Sequence, residues 1–209
     1  HKEAVGKAPM RENLAALFLQ QAGYDGSEPV LDPMCGSGTF MIEAAEIAEG
    51  LQAGRSRNFA FEALARLDEA GFNALRRPVT GVKGPARFFG SDRDAGTIKG
   101  AEANASRAGV SALSDFQCKP VSEMQRPDGP AGLIIVNPPY GGRIGDKKQL
   151  FGLYASLGTT LKERFSGWRV ALITSEPGLA KATGLPFTQG PAVPHGGLKV
   201  WLFQTPPLA

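Results

Sequence analysis

Two short stretches of this sequence carry groups whose type and spacing could do chemistry. The first is Asp32-Pro33-Met34-Cys35-Gly36-Ser37-Gly38-Thr39, which follows the apolar pair Val30-Leu31. Gly36 and Gly38 let the backbone turn sharply where a side chain would clash with a ligand. A helix opening at Thr39 aims its first free N–H groups at whatever sits above that turn. A dinucleotide fingerprint would need a third glycine where Met41 stands and an acid about 20 residues further on, and the next strand-end acid, Asp92, is too distant. A phosphate loop would need Gly-Lys-Ser/Thr after four spacer residues, and no such lysine follows. What remains is a glycine turn preceded by Asp32, suited to a ligand with an amino group. A tight strand-to-helix turn with no ligand would read the same way.

The second stretch is Asn137-Pro138-Pro139-Tyr140, directly after the unbroken apolar run 131–136. Two prolines stiffen the backbone as it leaves the sheet. The Asn137 side-chain oxygen and the Pro138 carbonyl then form a rigid pair of acceptors. A planar exocyclic amine, as on guanine or adenine, has two N–H donors to match them. Bonding both protons favours a more pyramidal nitrogen, whose lone pair can attack an electrophile. Tyr140 offers a flat face on which a base can stack. The alternative is a proline-rich turn with Tyr140 as a lid on the core.

These stretches need elements to hold them. A helix is predicted from Pro9-Met10-Arg11-Glu12, with Leu14, Leu17, Phe18 and Gln21 at helical spacing. The strand at Val30 and a helix from Thr39 that fades near Gly50 come next. Residues 51–85 read as an insertion with one helical segment around 60–76, in which Phe59, Phe61, Leu64, Leu67, Phe72 and Leu75 alternate with arginines. Such interleaving could meet nucleic acid, although apolar anchors docking the segment under solvated arginines is the plainer expectation. Strands are predicted at 86–91, 113–118, 131–136 and 168–174, helices at 95–108, 147–165 and 177–183, and a terminal hairpin at 186–205. Strands alternating with helices indicate a parallel sheet with helices on both faces; the run 131–136 reads as a central strand.

Composition sets outer bounds. The chain has 209 residues, 42% of them hydrophobic and 21% charged, with a net charge of +3. That fits one large α/β domain and permits a nucleic-acid partner. Two distant cysteines, Cys35 and Cys118, have no metal-type spacing and suggest reduced, buried thiols in a cytoplasmic protein. No apolar run reaches membrane-spanning length. The abrupt start at His1-Lys2-Glu3 suggests a piece of a longer protein.

Taken together, the Asp32 to Thr39 stretch, Asp92 and Asn137-Pro138-Pro139-Tyr140 resemble class I S-adenosylmethionine-dependent methyltransferases of exocyclic amines. Three further segments sharpen the likeness: Gly6-Lys7-Ala8-Pro9-Met10-Arg11-Glu12-Asn13-Leu14, Phe59-Ala60-Phe61-Glu62, and Gly141-Gly142-Arg143-Ile144-Gly145. With them the chain is similar, over nearly its whole length, to the RlmL-like RNA guanine-N2 methyltransferases that usually carry an N-terminal THUMP domain. The resemblance implies a Rossmann-like class I methyltransferase fold, a mostly parallel seven-stranded sheet with helices on both faces and a terminal antiparallel hairpin. It implies a single catalytic domain over 1–209, with an N-terminal helical segment at 1–28 and the RNA-binding THUMP domain lacking.

Residue roles follow from the same resemblance. Asp32 would face the methionine amino group of S-adenosyl-L-methionine, with Pro33, Cys35, Gly36, Gly38 and Thr39 around it. Asp92, followed by Arg93, would accept both ribose hydroxyls. Glu12 would be a further cofactor contact. Many relatives place an aspartate after the third strand to bind the adenine; here the region reads Cys118-Lys119-Pro120-Val121-Ser122, which leaves Ser122 or backbone groups. The family's late Asn-Gly turn is represented by His195-Gly196-Gly197, with His195 expected in a loop. Asn137, Pro138, Pro139 and Tyr140 would hold the target amine and base, and Arg143, Lys147 and Lys148 are candidates for the phosphate backbone. The implied reaction yields S-adenosyl-L-homocysteine, needs no metal, and acts on RNA, with ribosomal RNA favoured over transfer RNA. The competing readings are a DNA adenine-N6 methyltransferase, a protein glutamine methyltransferase, and a non-catalytic RNA-binding module.

Overall fold

A computed structural model describes residues 10–55, 57–75, 87–141 and 147–209. Pro9 and the segment before it, Arg76, Arg77 and Lys83 of the insertion, Ala86 at the start of the strand predicted at 86–91, and residues 142–146 with Arg143 lie outside the described residues. Strands β1 (Val30–Asp32), β2 (Phe88–Asp92), β3 (Ser114–Cys118), β4 (Leu133–Val136), β5 (Arg169–Thr174), β6 (Thr188–His195) and β7 (Leu198–Gln204) form one sheet in the order β3-β2-β1-β4-β5-β7-β6. The first five pair in parallel, and β7 runs antiparallel between β5 and β6. The helices are α1 (Glu12–Gln21), α2 (Thr39–Ala48), α3 (Glu69–Leu75), α4 (Ala95–Ala108), α5 (Lys147–Arg164) and α6 (Pro177–Ala182).

The two faces of the sheet divide the core by the two-residue period of its strands. Val30, Leu133, Ile135, Ala171 and Ile173 join Phe18 and Leu19 of α1 and Phe40 and Met41 of α2. Leu31, Ile134, Val136, Val170 and Leu172 join Tyr154, Leu157 and Leu161 of α5 and Leu179 of α6. Every residue of β4 is therefore fully buried, which explains its unbroken apolar run. Each such Leu, Ile or Val contributes about 1.5–3 kcal/mol by leaving water. Arg169, at the foot of β5, grips the Glu28 carboxylate and the Ala22 carbonyl, tying β5 to the chain entering β1.

Topology fixes where a ligand can bind. The strand order reverses between β1 and β4, and these two neighbours are in register through Val30–Leu133 and Leu31–Ile134. Their carboxyl ends open side by side at the switch point, where open α/β sheets bind ligands. The glycine turn leaves β1 there, and the proline turn leaves β4.

Four expectations need correcting. The segment 60–76 is not one helix: a single 3-10 turn (Ala60–Ala63) ends with Leu64 in extended backbone, and α3 starts afresh. Asp68 caps the new helix, its carboxylate accepting from Gly71 N–H at 3.0 Å. Nor do buried apolar anchors dock the segment, since neither the 3-10 turn nor α3 has a buried residue. Phe59, Phe61 and Phe72 pack on one another instead, with the Arg57 guanidinium over the Phe59 ring at 4.1 Å. Arg55 provides the anchorage, pairing with Glu46 at 2.7 Å and donating to the Ala108 carbonyl at 2.6 Å. Third, Cys118 is exposed, at the end of β3, while Cys35 is buried. His195 is also not a loop residue: it closes β6 opposite Leu198, and Gly196 and Gly197, with φ of 57° and 83°, make the two-residue hairpin turn.

Candidate active site

The glycine turn is built around two positive-φ residues, Gly36 (φ 53°) and Gly38 (φ 79°). They are needed for different reasons. A Cβ on Gly38 would lie 3.1 Å from Ala101 Cβ and 3.2 Å from the Phe116 ring, so close packing of α4 and β3 behind the turn excludes one. A Cβ on Gly36 would meet nothing within 4 Å, so that side of the turn is open. Asn104, wholly buried in α4, donates from Nδ2 to the Ser37 carbonyl at 3.0 Å, and Arg107 in turn donates to Asn104 Oδ1. Thr39 is buried at the first position of α2, its hydroxyl 3.3 Å from that of Ser37. Pro33 is buried and its carbonyl accepts from the Ser91 hydroxyl at 3.4 Å, which ties the turn to β2.

Two carboxylates face this turn. Asp32 is only 2% exposed and accepts from Met34 N–H at 3.0 Å. Burial, with the Asp92 charge adding to it and the Met34 N–H opposing, pushes its carboxyl up to about 8. A buried acid of this kind is ready for a cationic partner, which would restore its charge. Asp92, half-buried at the end of β2, accepts from Gly36 N–H at 3.3 Å through one oxygen and from Asp94 N–H at 3.1 Å through the other. Each oxygen keeps a lone pair for a further donor, as a ribose diol would supply. Asp94 is otherwise engaged, capping α4 through Thr97 N–H at 2.7 Å. Cys35 is no nucleophile: burial, then the charges of Asp32 and Asp92, push its thiol well above the ordinary range.

The proline turn stands beside this cradle. Asn137 Oδ1 is buried and has no hydrogen-bond donor among the described residues. Leaving a buried acceptor unpaired costs about 1–3 kcal/mol, and such orphans mark places where a ligand donor is expected. Among the described residues no hydrogen bond ends on the Pro138 carbonyl either. The next two peptide groups, by contrast, are held. The Tyr154 hydroxyl, reaching up from α5, donates to the Pro139 carbonyl at 3.3 Å, and Glu176 Oε1 accepts from Gly141 N–H at 3.0 Å. Tyr140 packs against both core layers, and burial pushes its phenol up to about 12, so it stays neutral.

The remaining predicted residues sit farther out. Arg93 is exposed beside Asp92, its carbonyl 3.7 Å from the Cys118 thiol. Ser122 is exposed on the turn after β3, where Arg164 fixes its carbonyl at 3.1 Å. Glu12 is exposed on the first turn of α1. Lys147 and Lys148 are exposed at the start of α5, and Arg143 lies outside the described residues. Sequence reasoning missed Asn104, Tyr154 and Glu176. Asn104 had a visible signal, a polar residue one step from the Ala101–Ala105–Ala108 stripe, and Tyr154 was read only as part of an apolar one.

The donor set fits the cofactor implied by the sequence. There is a buried carboxylate for its amino group, an open glycine turn for close approach, and a half-buried carboxylate for its diol. Among the described residues no cluster of three or more His, Cys, Asp or Glu could hold a metal ion. No helix among them is long and apolar enough to cross a membrane.

Known proteins resemble this chain along its whole length. The family model described as RMKL-like, methyltransferase domain (UPF0020) matches residues 1–189. The ribosomal RNA large subunit methyltransferase K/L of Chromohalobacter salexigens is 38% identical over 223 residues, covering 100% of this chain and 30% of that protein. The crystal structure of SMU.472 complexed with SAH superposes with a TM-score of 0.88 at 29% identity, covering 98% of this chain and 54% of that one. A Listeria monocytogenes chain designated a predicted N6-adenine-specific DNA methylase gives 0.82 at 29% identity, with 97% and 53% covered. The chain thus spans about a third to a half of the length of these relatives.

Proposed function

This chain belongs to the RMKL-like methyltransferase domain family, and from that premise we propose that it methylates the exocyclic N2 amine of a guanine in RNA, ribosomal RNA in particular. The observation that carries the reading is the unpaired, buried Asn137 Oδ1 beside the Pro138 carbonyl, at the switch point shared with the glycine turn. The name of the Chromohalobacter salexigens relative supports ribosomal RNA as the substrate class.

S-Adenosyl-L-methionine, when bound, supplies an electrophilic methyl group whose leaving group departs neutral. Asp32 would hold its amino group, Gly36 would allow its close approach over a turn that Gly38 lets pack against α4 and β3, and Asp92 would hold its ribose, with Pro33, Cys35, Thr39, Arg93, Glu12 and Ser122 around them. Asn137 Oδ1 and the Pro138 carbonyl take the two N–H groups of the target amine and fix the direction of its lone pair. Tyr140 stacks on the base as a neutral ring. Little acid–base help is required, because the surplus proton of the amine can pass to water after the transfer, so orientation supplies most of the acceleration. That places weight on the parts that keep the proline turn rigid, Tyr154 and Glu176.

The test is to supply labelled S-adenosyl-L-methionine with undermodified ribosomal RNA, transfer RNA and DNA, then digest and identify the methylated nucleoside. N2-methylguanosine from ribosomal RNA is expected. N6-methyladenine from DNA would overturn the substrate assignment while keeping the amine clamp, which accepts either base. Labelled glutamine in protein would overturn both the base and the nucleic acid.

A further inference from the structure

The terminal hairpin is longer than its pairing requires. β5 ends at Thr174, which is opposite Trp201, so Leu198, Lys199 and Val200 of β7 run on past it. At about 3.4 Å per residue the hairpin tip stands roughly 10 Å above the end of β5. It projects at the carboxyl edge, the edge from which Asn137 to Tyr140 leave β4, since Val136 is level with Leu172. Gly196 and Gly197 at its summit have open space around them, and Leu198 is 44% exposed.

The side chains of the tip are placed by strand alternation. Val200 and Leu202 face the α1 and α2 layer, so Leu198 and its partner His195 share that side. α1 ends at the opposite edge, where Arg169 at the foot of β5 holds the Ala22 carbonyl, so Arg11, exposed at the start of α1, lies towards the carboxyl edge. Lys199 projects from the opposite side, exposed, over the face that carries α5. α5 descends from the carboxyl edge, and Lys147 and Lys148 open it. The edge beside the proline turn is therefore framed by cations on both faces of the sheet, with an exposed apolar residue at the tip between them. Glu12 is the acid adjacent to Arg11 on this rim, and Glu176 is held by Gly141 N–H.

We propose that the β6–β7 tip is a contact surface for the nucleic-acid substrate, in which Lys199 and Arg11 take phosphates flanking the target nucleotide while His195 and Leu198 pack against its sugar or a neighbouring base. This rests on the reading of the chain as an RNA methyltransferase and adds the side from which the strand enters. Burial and then Arg11 lower the pKa of His195 in the free protein. Phosphate contacts release counterions, so each gives a defined salt dependence.

The experiment measures binding of a ribosomal RNA fragment by fluorescence anisotropy with S-adenosyl-L-homocysteine present, across salt. Lys199→Glu is expected to weaken binding about tenfold and to reduce the slope of log affinity against log salt by about 1. Lys199→Ala should give the same change in slope with a smaller loss, and Lys199→Arg should restore both. Lys162→Glu, an equal charge change near the far end of α5, should stay within about twofold of the parent. Calorimetric affinity for the cofactor product, unchanged in Lys199→Glu, verifies the fold. Parent-like binding and slope in Lys199→Glu overturns the inference and leaves the proposed function intact. Weakened binding by Lys199→Glu in a protein that methylates no RNA would sustain the contact surface and sink the catalytic reading.

Discussion

Substituting alanine at each of the two turn glycines separates what the fold needs from what the ligand needs. Both residues have positive φ, 53° at Gly36 and 79° at Gly38, and an L side chain in that region costs about 1–2 kcal/mol. At Gly36 nothing lies within 4 Å of the new methyl, so that cost is the whole effect on stability. At Gly38 the methyl meets Ala101 Cβ at 3.1 Å and the Phe116 ring at 3.2 Å, with packed α4 and β3 behind them. Overpacking of this kind adds about 1–3 kcal/mol, so Gly38→Ala should lose about 2–5 kcal/mol. Ligand binding should rank them the other way. The space above Gly36 is the space assigned to the cofactor, and a methyl there should weaken its affinity tenfold or more, at least about 1.4 kcal/mol. The assay is urea denaturation of both variants, paired with calorimetric titration of S-adenosyl-L-homocysteine. Equal stability losses would refute the packing account of Gly38. Parent-like affinity in Gly36→Ala would refute the position assigned to the cofactor.

Asp32 should make cofactor binding depend on pH. Its carboxyl holds a proton up to about 8 in the ligand-free fold, and a cationic amino group needs it ionised, so affinity should rise with pH towards about 8, above which the amino group itself loses its charge. Asp32→Asn should flatten that profile, and a parent profile without slope would contradict it. The unfolded chain releases the same proton in the ordinary carboxylate range. The ligand-free fold therefore binds more protons between that range and about 8, and its stability should fall as pH rises across this window. Asp92→Ala should weaken cofactor affinity, removing the diol acceptor and the partner of Gly36 N–H; an unchanged calorimetric dissociation constant would show that assignment wrong. Tyr154→Phe removes the hydroxyl that holds the Pro139 carbonyl, a bond worth about 1 kcal/mol, and should lower kcat several-fold with cofactor affinity unchanged. A parent kcat would show that the proline turn keeps its shape unaided.

Most of the scaffold was legible because its signals are local. The apolar run into Asn137 marked β4, glycines marked the turn after β1, and helix stripes such as Leu150, Tyr154, Leu157 and Leu161 needed only their own spacing. The parts that were not legible depend on contacts between distant positions. Glu176 meets Gly141 across 35 residues, and Asn104 meets Ser37 across 67, so neither spacing announces the pairing. In the insertion, periodicity suggested a helix docked by apolar residues, but Asp68 caps a separate helix and Phe59, Phe61 and Phe72 satisfy one another. His195 read as a loop residue because its position in β6 is set by pairing with Leu198, across a turn whose two glycines pointed only to a reversal.

The most direct test of the amine clamp is single-turnover methyl transfer by Asn137→Ala on an RNA that the parent protein methylates, with cofactor affinity measured in parallel. Loss of the orphaned Oδ1 should lower the rate on the order of 10²-fold or more, because the target nitrogen is no longer aimed. Cofactor affinity should remain within about twofold, since Asn137 is assigned to the amine rather than to the cradle. Transfer at the parent rate would contradict the account, because the acceptor on which it rests would then have no part in the reaction.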